Sequence, residues 1–65
     1  FINMNTNNIT VIMYKIIGGV KQIEFKLHAM TDSHAVLVAQ SFYNKCGLIG
    51  RYYVETETGY KFSIS

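Results

Sequence analysis

The pair Gly18-Gly19 constrains the fold more than any other feature, because it separates two stretches that have the composition of β-strands. Residues 9–17 are dense in β-branched and aromatic side chains, and residues 20–29 alternate between apolar and polar ones. Two glycines suit the left-handed backbone of a two-residue primed turn. The sequence therefore predicts a β-hairpin in the first half of the chain.

A two-residue turn fixes which residues of the two strands lie opposite one another. One face, predicted to be buried, consists of the pairs Thr10–Leu27, Ile12–Phe25 and Tyr14–Ile23. The opposite face, predicted to be open, consists of the pairs Ile9–His28, Val11–Lys26, Met13–Glu24 and Lys15–Gln22.

The middle of the chain has the pattern of an amphipathic helix, from about Asp32 to Cys46. Its start is marked by three residues that favour the N-cap, Thr31-Asp32-Ser33, and its end by Gly47. The apolar stripe between them has three- and four-residue spacing and consists of Ala35, Val38, Ala39, Phe42 and Cys46. As part of this stripe, Cys46 is expected to be a small buried hydrophobic residue.

A second hairpin is predicted near the end of the chain, where residues 51–56 and 60–64 flank Glu57-Thr58-Gly59. A three-residue loop with a left-handed Gly59 places Val54 opposite Phe62 and Tyr52 opposite Ile64 on the buried face. It places Glu55 opposite Lys61 and Tyr53 opposite Ser63 on the open face. A four-residue loop would mix the two faces and is disfavoured.

Together these elements predict an α+β fold of the ββαββ type: a four-stranded, mainly antiparallel sheet with one helix packed on one face. A chain of 65 residues is too short for a second core, so residues 9–65 are expected to form a single domain. The polar, Asn-rich residues 1–8 are expected to be a flexible N-terminal segment.

Composition narrows the class of function. The net charge is only +2, which is weak for a protein that binds polyanions. One cysteine excludes an internal disulfide, and neither an export signal nor an apolar run of membrane-spanning length is visible. These features predict a protein without a membrane segment in a reducing compartment, the cytoplasm of a host cell.

No catalytic, metal or cofactor site is predicted, so we do not expect an enzyme. His34 precedes Cys46 by 12 positions on the same helix, which separates the two by roughly 18 Å and prevents their pairing as base and nucleophile. His28 and His34 could approach each other, but only Asp32 is available as a third ligand, whereas structural zinc prefers four.

The open sheet face is the predicted binding surface, because an apolar strip bordered by charge is typical of a surface that a partner or a second copy covers. A short chain without disulfides also gains stability by forming a homo-oligomer, such as a homodimer. The predicted partner-binding residues are Tyr53, Arg51, Lys26, Met13, Val11 and Lys61.

Residues 25–40 carry a pattern in which a strand ends in Ala29, polar residues cap a helix, and Ala35 and Ala39 stand four apart. With the aromatic pair Phe42-Tyr43 and Gly47 that follow, residues 9–56 resemble small phage host-takeover and anti-defence proteins, among them anti-CRISPR proteins and a phage inhibitor of RNA polymerase. The polymerase inhibitor acts through acidic surface character, whereas this chain is mildly basic.

The resemblance implies a non-enzymatic inhibitor or adaptor encoded by a phage or mobile element. Such a protein blocks a host machine, either a defence nuclease such as a CRISPR effector or a polymerase, by steric occlusion. The alternative is a small nucleic-acid-binding module that uses the open face, where Tyr53 and the basic residues would contact RNA or DNA. A third possibility is a ligand pocket formed between subunits.

Overall fold

The computed structural model describes residues 8–65, which form four strands and one helix. In chain order the elements are β1 (Ile9–Ile17), β2 (Val20–Ala29), α1 (Asp32–Lys45), β3 (Tyr52–Thr56) and β4 (Lys61–Ile64). The strands form one antiparallel sheet in the order β2-β1-β3-β4, so β2 and β4 lie at its edges. The predicted α+β ββαββ fold is confirmed. The predicted flexible segment 1–8 lies outside the described residues except for Asn8.

The first hairpin turns at Gly18 and Gly19, whose φ angles of 62° and 79° are the left-handed values that a primed turn requires. Next to the turn, Lys15 lies opposite Gln22, as predicted. Beyond this pair the register shifts by one residue, because Ile23 adopts a φ of 54° and forms a β-bulge in β2. Met13 therefore lies opposite Phe25, and the predicted pairing with Glu24 is wrong.

Because of the bulge, the face of β1 that the sequence predicts to be open is buried, and the face that it predicts to be buried is open. Val11 and Met13, predicted on the open face, are 0% exposed and lie in the core beneath the helix. Their predicted exposure is wrong because the extra residue in β2 aligns them with Phe25 and Leu27, so that apolar side chains from both strands share one face. The unshifted register would bury the hydroxyl of Thr10 instead.

The free energies explain why the bulge is stable. A β-branched residue with a left-handed backbone costs roughly 1–2 kcal/mol. The unshifted register would bury Ile12 and Tyr14 in place of Val11 and Met13, so apolar burial alone does not separate the two registers. It would also bury the hydroxyl of Thr10, which costs roughly 1–3 kcal/mol without a hydrogen-bond partner. This cost offsets the backbone strain of Ile23.

The helix begins where the sequence predicts. The Thr31 side-chain hydroxyl accepts a hydrogen bond of 3.0 Å from the His34 amide, which caps the helix N-terminus. Ala35 and Ala39 are buried against the sheet, and their small side chains allow close packing. The helix lies over β2, β1 and β3. It runs antiparallel to β2, because it starts just after Ala29 at the end of β2, and its Phe42 ring contacts Phe25 further back along that strand.

At the other end of the helix, a Schellman motif decides which apolar residue is buried. The Gly47 amide donates to the Asn44 carbonyl, and the Leu48 amide donates to the Tyr43 carbonyl. This turn directs Leu48 against the core, while Cys46 caps the helix and is exposed. The prediction that Cys46 is a buried hydrophobic residue is therefore wrong, because Leu48 takes the apolar position.

The second hairpin has the predicted register throughout, with Tyr52 opposite Ile64 and Glu55 opposite Lys61. Gly59 has a φ of 95°, as the three-residue loop requires. Tyr52 and Ile64 belong to the buried core.

Two side chains fasten the helix to the β3 side of the sheet. At its N-terminus, Asp32 Oδ1 accepts hydrogen bonds from the hydroxyls of Thr56 and Thr58, at 2.9 and 2.7 Å. Near its C-terminus, the Tyr43 hydroxyl donates to the Gly50 carbonyl at 2.8 Å. Within residues 8–65, no side-chain hydrogen bond joins the helix to β2.

Candidate partner-binding surface

The sheet surface opposite α1, called here the open face, is not covered by any element of residues 8–65. Strand alternation and register place its residues. They are Thr10, Ile12, Tyr14 and Ile16 of β1, Lys21, Glu24, Lys26 and His28 of β2, Tyr53 and Glu55 of β3, and Lys61 and Ser63 of β4.

Tyr14 lies at the centre of the open face, held by three neighbours. Its ring stacks on Tyr53, with ring centroids 5.8 Å apart, and its hydroxyl donates a 2.6 Å hydrogen bond to Glu55 Oε2. The Lys21 ammonium lies 4.4 Å from the ring centroid, a cation–π contact. These contacts leave Tyr14 only 7% exposed on a sheet face that no described element covers. The centre of the face is therefore a preorganised platform.

The same contacts shift the acidity of two groups. The hydrogen bond to Glu55 raises the pKa of Tyr14 to about 12, with further contributions from desolvation and the Glu55 charge. In return, the hydrogen bond from Tyr14 lowers the pKa of Glu55, and Lys21 and Lys61 lower it further. Glu55 is thus an ionised acceptor for Tyr14 at neutral pH.

Four of the six predicted partner-binding residues lie at or beside this platform. Tyr53 is half-buried within it, opposite Tyr14 and Ser63. Lys61 and Lys26 are exposed, opposite Glu55 and Ile12 respectively. Arg51 is exposed and directly precedes β3.

The other two, Val11 and Met13, belong to the core, and Ile12 and Tyr14 occupy the open face in their place. The sequence does not decide between the two faces of β1, because Ile12 and Tyr14 are apolar as well. A one-residue shift brings Val11 and Met13 onto the face of Phe25 and Leu27 and moves Thr10 off it. No local feature of the sequence predicts a left-handed Ile23.

A second concave surface lies between α1 and the outer edge of β2, and we call it the edge groove. It has a volume of about 430 Å³. Its lining consists of Leu27, His34, Leu37, Val38, Ser41, Phe42 and Lys45. The helical pattern places His34, Ser41 and Lys45 outside the apolar stripe of the helix, and no local pattern associates them with Leu27.

The described residues contain no cluster suited to metal binding. Within residues 8–65, no group of three His, Cys, Asp or Glu side chains could hold a metal ion. His34 Nδ1 accepts a 2.9 Å hydrogen bond from the Met30 amide, which assigns the proton of the neutral ring to Nε2. The role of His34 in the structure is thus to close the turn before the helix.

No helix of the described chain has the length and apolar character needed to cross a membrane. Comparisons of the chain with protein families, curated proteins and solved structures find no match. Any function must therefore be argued from the two surfaces themselves.

Proposed function

We propose that this protein is a non-enzymatic protein-binding inhibitor or adaptor that occludes an acidic surface of its partner with the open face. The observation that carries the proposal is the Tyr14–Tyr53 stack, held by Glu55 at the centre of a face bordered by exposed cations. Aromatic and Arg side chains in rigid surroundings supply most of the affinity at protein interfaces.

The charges of the face support an acidic partner. Its exposed cations and the neighbouring Arg51 outnumber its acids: Lys21, Lys26, Lys61 and Arg51 against Glu24 and Glu55. One of the acids, Glu55, already accepts the Tyr14 hydroxyl. The remaining positive charge favours association with an acidic protein surface and increases the rate of encounter.

The surroundings of Tyr14 favour a protein partner over RNA or DNA. A base stacks on the free face of an aromatic ring, but Tyr14 lies between Tyr53 and the Lys21 ammonium and is almost inaccessible. Glu24 lies on the same face, where it would repel a phosphate backbone.

The partner class rests on the resemblance of residues 9–56 to small phage proteins. It supports a host complex as the target, a defence nuclease or a polymerase, inhibited by steric occlusion. Residues for this role are Tyr53, Arg51, Lys26 and Lys61, with Tyr14 as their support.

The test is an affinity capture from nuclease-treated host lysate, quantified for the wild type, Tyr53→Ala and Arg51→Ala. A Gln40→Ala variant, changed on the exposed side of the helix, serves as the matched control. We expect one acidic protein to be captured by the wild type and Gln40→Ala, and to be lost with Tyr53→Ala and with Arg51→Ala.

Two outcomes contradict the proposal. Equal capture by all variants would exclude the open face as the binding surface. Retention of RNA or DNA from untreated lysate, with an affinity that falls steeply with salt, would replace the protein partner with a nucleic acid.

A further inference from the structure

We infer that the edge groove binds an extended peptide that carries a carboxylate, and that the peptide adds a fifth strand to the sheet beside β2. This site lies on the side of the sheet opposite the open face, so the inference goes beyond the proposed function and does not depend on it.

The first argument is the unpaired edge of β2. The outer backbone amides and carbonyls of β2 have no partner strand within residues 8–65, since β2 is the last strand of the sheet order. An edge strand of this kind is a template for an added strand, whose main-chain hydrogen bonds supply affinity. The bulge at Ile23 restricts the regular edge to the stretch from Phe25 to Ala29.

The second argument is the match of lengths. Eleven positions separate His34 from Lys45, which places the two residues about 16 Å apart along the helix. An extended peptide rises about 3.3 Å per residue, so about five residues span the groove. The stretch from Phe25 to Ala29 offers the same number of residues for pairing.

The third argument is the chemistry of the lining. Leu27, Val38 and Phe42 are half-buried, and Leu37 is 68% exposed at the rim. Alternate side chains of an added strand point towards such a surface, so the peptide needs apolar residues at every second position.

The polar groups of the lining select the charge of the peptide. Lys45 carries a positive charge, the Ser41 hydroxyl can donate, and His34 presents Nε2 as a donor, while no carboxylate lines the groove. An acidic side chain or a terminal carboxylate complements this set. In the more stable antiparallel pairing, the C-terminal end of the peptide lies at the Lys45 end of the groove.

The same charges argue against a second copy as the occupant. Two copies paired through antiparallel β2 edges would bring the linings of two identical grooves together. Neither lining contains a carboxylate, so Lys45 of each copy would find no acidic partner in the other groove, whereas the peptide supplies one.

The side of the helix along the groove is also free to accept a strand. The Asp32 and Tyr43 hydrogen bonds hold the helix from the β3 side. A peptide that enters beside β2 would therefore break none of the side-chain hydrogen bonds between helix and sheet that residues 8–65 contain.

The experiment uses the full chain labelled with ¹⁵N and a mixture of extended peptides of about seven residues. Every second position is Val, Leu or Ile, and the last residue is Glu in one mixture and Gln in a matched one. At about 1 mM peptide, even millimolar affinity gives half occupancy. We expect the amide signals of Phe25–Ala29 to shift with the Glu mixture, and those of β4 to stay unchanged.

Two variants test the assigned contacts. Leu37→Gln should weaken binding about tenfold, because the exposed part of its side chain loses its contact with the peptide. Lys45→Gln should weaken binding of the Glu mixture about two- to fivefold and leave that of the Gln mixture unchanged. Lys61→Glu on the open face is the control and should have no effect on peptide binding.

The inference is overturned if the β2 amides do not shift, or if the Lys45→Gln variant binds both mixtures as the wild type does. If light scattering shows a dimer, and its interface protects the β2 amides from hydrogen exchange, the groove is occupied by a second copy of the chain and the inference is wrong. Because Lys61→Glu affects only the open face, failure of this inference is distinguishable from failure of the proposed function.

Discussion

Tyr14 lies on the open face, whereas its neighbours Met13 and Lys15 point to the helix side of the sheet. Met13 is fully buried, and the Lys15 ammonium donates to the Ile49 carbonyl and lies 5.3 Å from the centre of the Tyr52 ring. The environment of each residue in β1 therefore depends on its position in the strand alternation. Because the buried and open faces of β1 are the reverse of the prediction, Met13 is a core residue and not a partner-contact residue.

The hydrogen bond between Tyr14 and Glu55 should make the stability of the fold depend on pH in the alkaline range. The pKa of Tyr14 is about 12 in the folded chain and 10.0 as its ordinary value. Between these values the unfolded chain releases the Tyr14 proton while the folded chain retains it, so stability falls as pH rises. The stabilising contribution is complete below pH 10 and is lost as pH rises through about 12. We expect Tyr14→Phe to remove this part of the pH dependence in denaturant titrations.

The control for this prediction is Tyr60→Phe, because Tyr60 is exposed and forms no side-chain hydrogen bond with the described residues. Tyr60→Phe should retain the alkaline loss of stability. An unchanged pH dependence in Tyr14→Phe would show that the hydroxyl does not bind Glu55 in solution.

The exchange of faces can be tested with two substitutions of nearly equal size at adjacent positions. Val11→Thr places a hydroxyl in the apolar core and should lower the free energy of unfolding by about 1–3 kcal/mol. Thr10→Val on the open face should change it by less than about 0.5 kcal/mol. Chemical denaturation measures both. The reverse order of effects would support the unshifted register.

Among the elements, β2 contains the feature that decides the architecture. Its bulge divides the strand into a part next to the turn and a part that forms the sheet edge from Phe25 to Ala29. The second hairpin has no bulge and retains the register set by its loop. The bulge therefore explains why sequence reasoning located one hairpin correctly throughout and the other only near its turn.

At position 23, the left-handed backbone should reverse the usual order of stability of Gly and Ala in a strand. In a regular strand, Gly is less stable than Ala by about 0.5–1 kcal/mol. At a φ of 54°, Ala pays the left-handed penalty of about 1–2 kcal/mol and Gly does not. We expect Ile23→Gly to be more stable than Ile23→Ala by about 1 kcal/mol in thermal or denaturant unfolding. Higher stability of Ile23→Ala would exclude the bulge.

The part of the chain that the structure describes is elongated, with principal extents of 46, 23 and 17 Å. The first hairpin extends beyond the central sheet, since β3 pairs with β1 only between Val11 and Tyr14. At the far end of this hairpin, four large apolar side chains are about half exposed: Ile16, Ile17, Val20 and Ile23. Stability is therefore expected to decrease from the helix-covered core towards the Gly18-Gly19 turn.

This gradient predicts a pattern of amide hydrogen exchange. Amides of Val11, Met13 and Val54 lie in strands paired on both sides or buried in the core, so they should exchange only through global unfolding. Amides of Ile16 and Lys21 lie in a two-stranded region and should exchange through local opening, with much lower protection. Equal protection at both places would indicate that another contact holds the hairpin end.

The sequence alone determined the elements, both turns, the N-cap at Thr31, and the register of the second hairpin, because each of these depends on neighbours close in the chain. It also placed Tyr53, Lys26 and Lys61 on the open face. The positions of Tyr53 and Lys61 are correct because alternation in β3 and β4 starts from a loop that the sequence defines. Lys26 is correctly placed because it alternates with the apolar residues Phe25 and Leu27.

The tertiary structure alone decided the bulge at Ile23, the burial of Val11 and Met13, and the exposure of Cys46. Each of these depends on which side chains occupy the space under the helix. The bulge keeps the Thr10 hydroxyl out of that space at the cost of a local backbone penalty, and Leu48 takes the position that Cys46 would otherwise fill. The edge groove is likewise a property of the assembled fold, since Leu27 and Lys45 come together only when the helix packs on β2. These contacts join residues that are distant in the chain, and a local sequence pattern does not reveal how strongly such contacts stabilise the fold.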